Sequence, residues 1–110
     1  MTDTDRSRLQ DYLNLPQDKL MEKLELYDPA SRGPADAWNK VAGPLRQRLC
    51  VEWDWCKVRQ DARWDDDLNL ALAVVAALSE PVLHLPIEAD LLLIAAIVVK
   101  RGLDVFCGCP

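Results

Sequence analysis

Two long apolar runs dominate the second half of the chain, from Leu68 to Leu78 and from Leu91 to Val99. The first run has no polar face after Asn69, and the second contains no polar residue at all. A helix that is apolar on every side must be buried on every side. Both runs are shorter than the roughly 18 consecutive apolar residues that cross a membrane. The pattern therefore predicts two central helices of a bundle, over residues 66–79 and 86–101, and no membrane partner.

The N-terminal part of the chain is amphipathic instead. Segments 4–15 and 16–27 each repeat apolar residues at intervals of three and four, which is typical of helices that bury one face. Pro16 separates them, because proline ends one helix and suits the first position of the next. The turn residues of segment 28–34 predict a loop.

The region from residue 34 to residue 61 is predicted to be helical around one break. Gly43-Pro44 is expected to end or kink the helix, because a proline ring clashes with the preceding turn. The apolar phase continues across it, which indicates two helices in near-continuation or one kinked helix. Together the segments predict an all-α fold, a compact bundle of five or six helices around the two apolar central helices, forming a single domain over residues 1–110.

The same region carries a second apolar stripe, formed by Val51, Trp55 and Val58. A peripheral helix needs only one apolar face, so a second face indicates a fully central helix or a contact with another chain. Tryptophan is frequent at interface hot spots and is also a large core residue, so Trp55 is predicted either as a partner anchor or as core. Our leading hypothesis is a non-enzymatic protein–protein interaction module, an accessory subunit or adaptor. It self-associates or docks through this exposed stripe on the helix around residues 45–60.

The cysteines suggest the first alternative function. The chain is large enough to build a core without cross-links and shows no secretory signal layout, so we expect four reduced thiols in a cytoplasmic protein. Cys50 and Cys56 would lie about 120° apart on one helix, so they cannot share a metal ion. Cys107 and Cys109 are candidate zinc ligands or redox-active thiols. No resident cofactor is predicted.

Charge limits the remaining partners. The net charge of -5 argues against nucleic acid or an anionic membrane as the main partner, since both require clustered positive charge. A further alternative is single-stranded nucleic-acid binding, because such proteins combine cations with stacking rings. The candidate patch consists of Arg46, Arg48, Lys57, Arg59 and Arg63 with Trp53 and Trp55.

Other polar features receive structural interpretations. The run Asp65 to Asp67 is expected to cap the first central helix rather than to bind a metal ion. Glu52 is expected to pair with Arg48 one helical turn earlier. His84 is the single histidine, and no nucleophile or second histidine lies near it in the sequence. Because the sequence also has no Gly-rich phosphate loop or nucleophile elbow, we predict no enzymatic activity and no small-molecule substrate.

Overall fold

Helix α6, Leu91–Arg101, is the centre of the fold in this computed structural model, which describes residues 3–110. Eight consecutive residues of α6, from Leu92 to Val99, are buried. The helix packs against elements from both halves of the chain. The predicted central helix, buried on every side, is confirmed for α6 because all eight of these side chains are apolar.

Residues 3–110 contain six further α-helices and no β-strand, and the helical content is 70%. The other helices are α1 Asp3–Leu13, α2 Gln17–Glu25, α3 Pro34–Arg46, α4 Trp55–Val58, α5 Asp67–Ser79 and α7 Leu103–Cys107. A π-helical turn, Gln47–Glu52, extends α3, and a 3₁₀ turn, Ala62–Asp65, precedes α5. The all-α prediction is confirmed. The count exceeds five or six because α4 and α7, with 4 and 5 residues, are too short to show a periodic pattern.

Both central helices begin at an aspartate cap. Asp66 accepts hydrogen bonds from two backbone N–H groups in the first turn of α5, at 2.8 and 3.4 Å, so the predicted capping role and start are confirmed. Asp90 accepts one from the first turn of α6 at 2.9 Å. Helix α6 therefore begins at Leu91, and the start expected at Pro86 is wrong. The sequence carries both start signals, and the side-chain cap nearer to the apolar run sets the boundary.

Helix α5 is buried on one side only. Its buried face is formed by Leu70, Ala71, Val74, Val75 and Leu78. Ala76 is exposed, and Ala73 and Ala77 are half-buried. The prediction that this helix is buried on every side is wrong, because an alanine counts as apolar in the pattern but can face solvent at little cost.

Helix α1 is fastened to both ends of α6. At the first end, the Arg8 guanidinium and the Tyr12 hydroxyl, the latter at 3.1 Å, donate to the same Asp90 carboxylate oxygen. Partial burial raises the pKa of Tyr12, so its hydroxyl keeps the proton that it donates. At the other end, Lys100 Nζ donates to the Leu13 carbonyl oxygen at 3.0 Å.

The break in the region from residue 34 to residue 61 comes later than predicted. Helix α3 passes through Gly43-Pro44 and continues into the π-helical turn, because buried side chains anchor its apolar face on both sides of the proline. The backbone turns at Asp54, which has a left-handed φ of 59°, and α4 begins at Trp55. A π-helical turn followed by a left-handed residue shifts the helical phase of everything after residue 52.

The core is continuous. All buried apolar side chains belong to one contact cluster. The radius of gyration of the Cα atoms is 13.2 Å, close to the value of about 13 Å expected for a folded domain of this length. Within residues 3–110, no helix combines the length and the apolar character needed to span a membrane.

Candidate functional site

The structure separates the three residues of the predicted stripe. Val51 is 61% exposed, Trp55 is only 4% exposed, and Val58 is half-buried. The prediction assumed one helical phase around residues 45–60, but the turn at Asp54 directs Trp55 into the core. An exposed stripe made of all three residues is therefore wrong.

Trp55 is a core residue whose indole N–H is satisfied. Its Nε1 donates to Asp104 Oδ1 at 2.8 Å. Its ring contacts the rings of Trp53 and Trp64, with centroids 5.6 and 6.5 Å away. Of the two interpretations that the sequence left open, core packing is correct. Trp53 and Trp64 are only half-buried, so the three-tryptophan cluster reaches from the core to the surface.

A shallow groove, which we name the tryptophan–alanine groove, lies between this cluster and α5. It has a volume of about 660 Å³. Its apolar lining consists of Trp53, Val58, Trp64, Ala73, Ala76 and Ala77, and its charged lining of Lys57, Asp61, Arg63 and Glu80. Of the predicted stripe, only Val58 belongs to this surface.

The wall of the groove is held in place by polar contacts. Trp64 Nε1 donates to the Val58 carbonyl oxygen at 2.8 Å, and the Trp64 ring packs edge-on to Trp53 at 6.1 Å. The Arg63 guanidinium stands 5.0 Å from the Trp64 ring centroid and donates to Asp61 Oδ2. The side-chain hydrogen bonds from Arg63 lower the pKa of Asp61 below its ordinary value, and the hydrogen bond from the Arg63 backbone N–H lowers it further. The indole surface is therefore fixed before any partner arrives.

The floor of the groove is the alanine face of α5. Ala73, Ala76 and Ala77 recur at helical spacing, and Glu80 continues the same face. Single methyl groups let another backbone approach a helix closely, so this face can accept a second helix at short interaxial distance. The sequence did contain the signal, because every residue as bulky as leucine or valine from position 73 to position 78 lies on the opposite face.

Five acidic residues belong to the lining of the groove or to the segments next to that lining. They are Asp65, Asp66 and Asp67 at the start of α5, Glu80 at its end, and Glu52 in an adjoining depression beyond Trp53. All five are exposed. The two cations of the lining are already paired, Lys57 with Asp54 at 3.4 Å and Arg63 with Asp61 at 2.6 Å. Glu52 is paired with Arg48, but the other four acids have no cationic partner within residues 3–110, so the surface next to the apolar groove is negative.

Arg48 fixes the end of α5 that carries the groove. The predicted ion pair with Glu52 is confirmed at 3.5 Å, with Arg48 as the buried member, 10% exposed, and Glu52 as the exposed one, at 50%. The Arg48 guanidinium also donates to the carbonyl oxygens of Ala77 and Pro81, at 2.8 and 2.5 Å. The arginine therefore satisfies backbone acceptors that α5 leaves open where it ends.

We expect Arg48→Met to lower the free energy of unfolding by about 3 kcal/mol, because it removes a buried guanidinium and leaves two partly buried carbonyl acceptors without a charged donor. Glu52→Gln should change it by less than about 0.5 kcal/mol, because the carboxylate is half exposed and screened by water. Urea unfolding of both variants measures the difference. Equal losses in the two variants would show that the ion pair, and not the carbonyl contacts, carries the stabilisation.

The cysteines form two disulfides, so the expected reduced thiols are wrong. Cys50 pairs with Cys107 and Cys56 with Cys109, and the Cα atoms are 5.3 and 5.4 Å apart. Cys50 and Cys56 do not lie on one regular helix as their predicted separation of about 120° assumed, and each meets a different cysteine of the last segment. These pairs are separated by 57 and 53 residues, a relation that spacing along the chain cannot reveal.

The chain matches no protein-family model, no curated protein and no solved structure.

The metal hypothesis for Cys107 and Cys109 does not fit the structure. Both sulfur atoms are in disulfides, so neither offers the thiolate that a zinc ion needs. In the part of the chain that the structure describes, no three His, Cys, Asp or Glu side chains are grouped as metal ligands. His84 is exposed in the connection between α5 and α6.

The predicted arginine–tryptophan patch is dispersed. Arg48 is buried, Arg59 donates to the Pro110 carbonyl oxygen and lies beside Asp104, and Arg46 stands over the Phe106 ring. Lys57 and Arg63 are paired with aspartates at the groove. These cations therefore do not form the continuous positive surface that a nucleic-acid strand requires.

Proposed function

We propose that this protein is a non-enzymatic interaction module that binds an amphipathic helix of a protein partner in the tryptophan–alanine groove. The observation that carries the proposal is the pairing of two half-exposed indoles with an uncovered alanine face. Tryptophans at the centre of an apolar patch are the usual hot spots of protein interfaces. The sequence hypothesis of an adaptor or accessory subunit is kept, with the groove in place of the stripe.

The shape of the groove favours a helix over a small molecule. Small-molecule sites enclose most of their ligand, whereas this surface is shallow and open. Helices that dock in grooves place apolar side chains from successive turns on one face. The alanine floor admits such a helix at close range, and the indole N–H of Trp53, which donates no hydrogen bond within residues 3–110, remains free to bind it.

The negative surroundings specify the charge of the partner. Four exposed carboxylates without a cationic partner within residues 3–110 lie in the lining of the groove or next to it in the chain, and the cations of the lining are paired. Complementary charge directs encounter and suppresses wrong partners. The partner helix is therefore expected to carry lysine or arginine beside its apolar face.

The two disulfides indicate the redox conditions in which the protein folds. Disulfides persist mainly in oxidising compartments and are rare in the cytosol of most organisms. We infer an oxidising environment for the folded protein, in place of the cytoplasm expected from the sequence.

A designed peptide tests the groove. We would titrate a helical peptide of about 15 residues, with leucine on one face and lysine elsewhere, and follow the tryptophan fluorescence of the protein. A peptide with glutamate at each lysine position is the charge control. We expect the lysine peptide to bind and the glutamate peptide not to bind.

Ala76→Arg should weaken binding of the lysine peptide by about tenfold or more, because it fills the floor with a bulky cation. Ala76 is exposed, so the variant should stay within about 0.5 kcal/mol of the wild-type stability. Ala30→Arg, an identical change at an exposed position in the loop before α3, is the matched control. Equal binding by both variants would place the peptide elsewhere on the acidic surface and refute the groove.

Light scattering over a concentration series distinguishes the other possible occupant. A wild-type dimer that Ala76→Arg converts to a folded monomer would assign the groove to a second copy of the chain. A monomer at all concentrations agrees with a different protein as partner.

A further inference from the structure

A second pocket, which shares no lining residue with the groove, gathers three cations. It has a volume of about 370 Å³. Its polar lining is Arg46 from α3, Lys100 and Arg101 from α6, and Gln17 from α2, and its apolar lining is Trp38, Val105 and Phe106. Two helices that are far apart in the sequence, α3 and α6, thus present positive groups to one cavity. We name it the cationic pocket.

Contacts with rings and carbonyl groups hold the three cations. The Arg46 guanidinium lies 4.9 Å from the Phe106 ring centroid, and its Nε donates to the Phe106 carbonyl oxygen at 3.4 Å. The Arg101 guanidinium lies 4.6 Å from the Trp38 ring centroid. Lys100 is held by the Leu13 carbonyl oxygen. Each head group keeps further N–H donors available, because these contacts use few of them.

None of these three cations pairs with a carboxylate within residues 3–110. Seven other cations of the chain do, namely Arg8, Lys19, Lys40, Arg48, Lys57, Arg59 and Arg63. With 18 acidic and 13 basic residues, the chain has acids in excess. A cluster of unpaired cations is therefore not a consequence of composition, and its positive potential is not cancelled locally.

Helix ends do not account for the cluster. Lysine and arginine near a helix C-terminus often serve its last carbonyl groups. In α6 the backbone N–H of Gly102 serves the carbonyl oxygens of Val98 and Val99, both at 3.1 Å. The Lys100 head group instead reaches α1, and the Arg101 head group reaches Trp38. Partial burial lowers the pKa of Arg101.

We propose that the cationic pocket binds the phosphate group of a phosphate monoester. A phosphomonoester carries close to two negative charges at neutral pH and offers three acceptor oxygens, which suits three converging cations better than a single carboxylate does. Guanidinium groups bind phosphate with paired hydrogen bonds. Val105, 82% exposed at the pocket, provides an apolar contact for the rest of the ligand. The phosphate can belong to a free metabolite or to a lipid headgroup.

Phenyl phosphate and inorganic phosphate are the probes for the free ligand. We would record amide NMR shifts of the intact disulfide-bonded protein above pH 7 at constant ionic strength. Inorganic phosphate should bind with a dissociation constant of about 1 mM or below, and phenyl phosphate more tightly because of its contact with Val105. The largest shifts should fall at the last turns of α3 and α6.

Arg46→Gln and Arg101→Gln should each weaken phenyl phosphate binding about tenfold, because each removes one charged donor. Arg6→Gln removes an exposed cation of α1 that pairs with no carboxylate of residues 3–110, so it is the matched control and should bind like the wild type. Lys100→Gln provides a third variant if loss of a ring contact unfolds either arginine variant. Binding that is equal in the control and in the folded pocket variants would overturn the proposal.

Vesicles separate the two sources of phosphate. One outcome is that the wild type binds phosphatidylcholine vesicles that contain phosphatidic acid, that Arg46→Gln does not bind them, and that phenyl phosphate does not bind measurably. This outcome would assign the pocket to a lipid headgroup. Phenyl phosphate binding without vesicle binding would assign it to a free metabolite. The absence of binding to all three probes would refute the site.

Discussion

Replacing all four cysteines by serine should lower the free energy of unfolding by about 6 kcal/mol, whereas removing either disulfide alone should cost roughly 2.5 kcal/mol. The reason is that the two cross-links join the same pair of segments. In the chain-entropy view, the first closes a loop of 57 or 53 residues, worth about 4 kcal/mol. The second closes only the short ring between the two bridges, so it adds less. The combined loss therefore exceeds the sum of the single losses.

Urea unfolding of three variants measures this difference. They are Cys50→Ser with Cys107→Ser, Cys56→Ser with Cys109→Ser, and the variant with all four changes. Thiol titration of the denatured wild type should detect no free thiol. Single losses that add up to the combined loss would refute the nested-loop argument. If each folded variant still binds the peptide, the docking function does not depend on the cysteines, which argues against the cysteine-based alternative.

Trp55→Asp should either prevent folding or lower the free energy of unfolding by at least about 4 kcal/mol. The change removes a large buried side chain, leaves Asp104 without the indole donor and places a second carboxylate beside it. A buried carboxylate without a partner adds several kcal/mol. Trp55→Phe, which keeps a ring, should lose less.

Val51→Asp is the matched control for Trp55→Asp, because both positions belong to the predicted stripe and only Val51 is exposed. It should change the stability by less than about 0.5 kcal/mol. Circular dichroism and urea unfolding distinguish the two variants. A folded Trp55→Asp protein with wild-type stability would show that the indole lies at the surface and would restore the stripe as a candidate interface.

The central architecture could be predicted because local signals and burial agree there. The run from Leu91 to Val99 leaves a helix no polar face, and the acidic run that contains Asp66 caps α5 as expected. The Arg48–Glu52 pair was also predictable, because residues one turn apart on a helix are neighbours. Each of these features depends on no more than about three helical turns of sequence.

The candidate sites could not be predicted in the same way, because they depend on where distant segments meet. The π-helical turn and the left-handed Asp54 together change the helical phase, and that change moves Trp55 inward while Val58 joins the groove. The cationic pocket joins Arg46 to Lys100 and Arg101 through a packing arrangement that no local pattern encodes. The alanine face of α5 was visible in the sequence, but it forms a groove only because Trp53 and Trp64 lie beside it.

The two bridges also divide the molecule by its covalent connectivity. A backbone cut between Cys56 and Cys107, for example in the irregular connection between α5 and α6, leaves both pieces in one molecule until a reductant is added. A cut in the loop before α3 instead frees α1 and α2, which only packing and polar contacts hold. Proteolysis can thus nick one half of this protein without losing a fragment, while the other half can be detached.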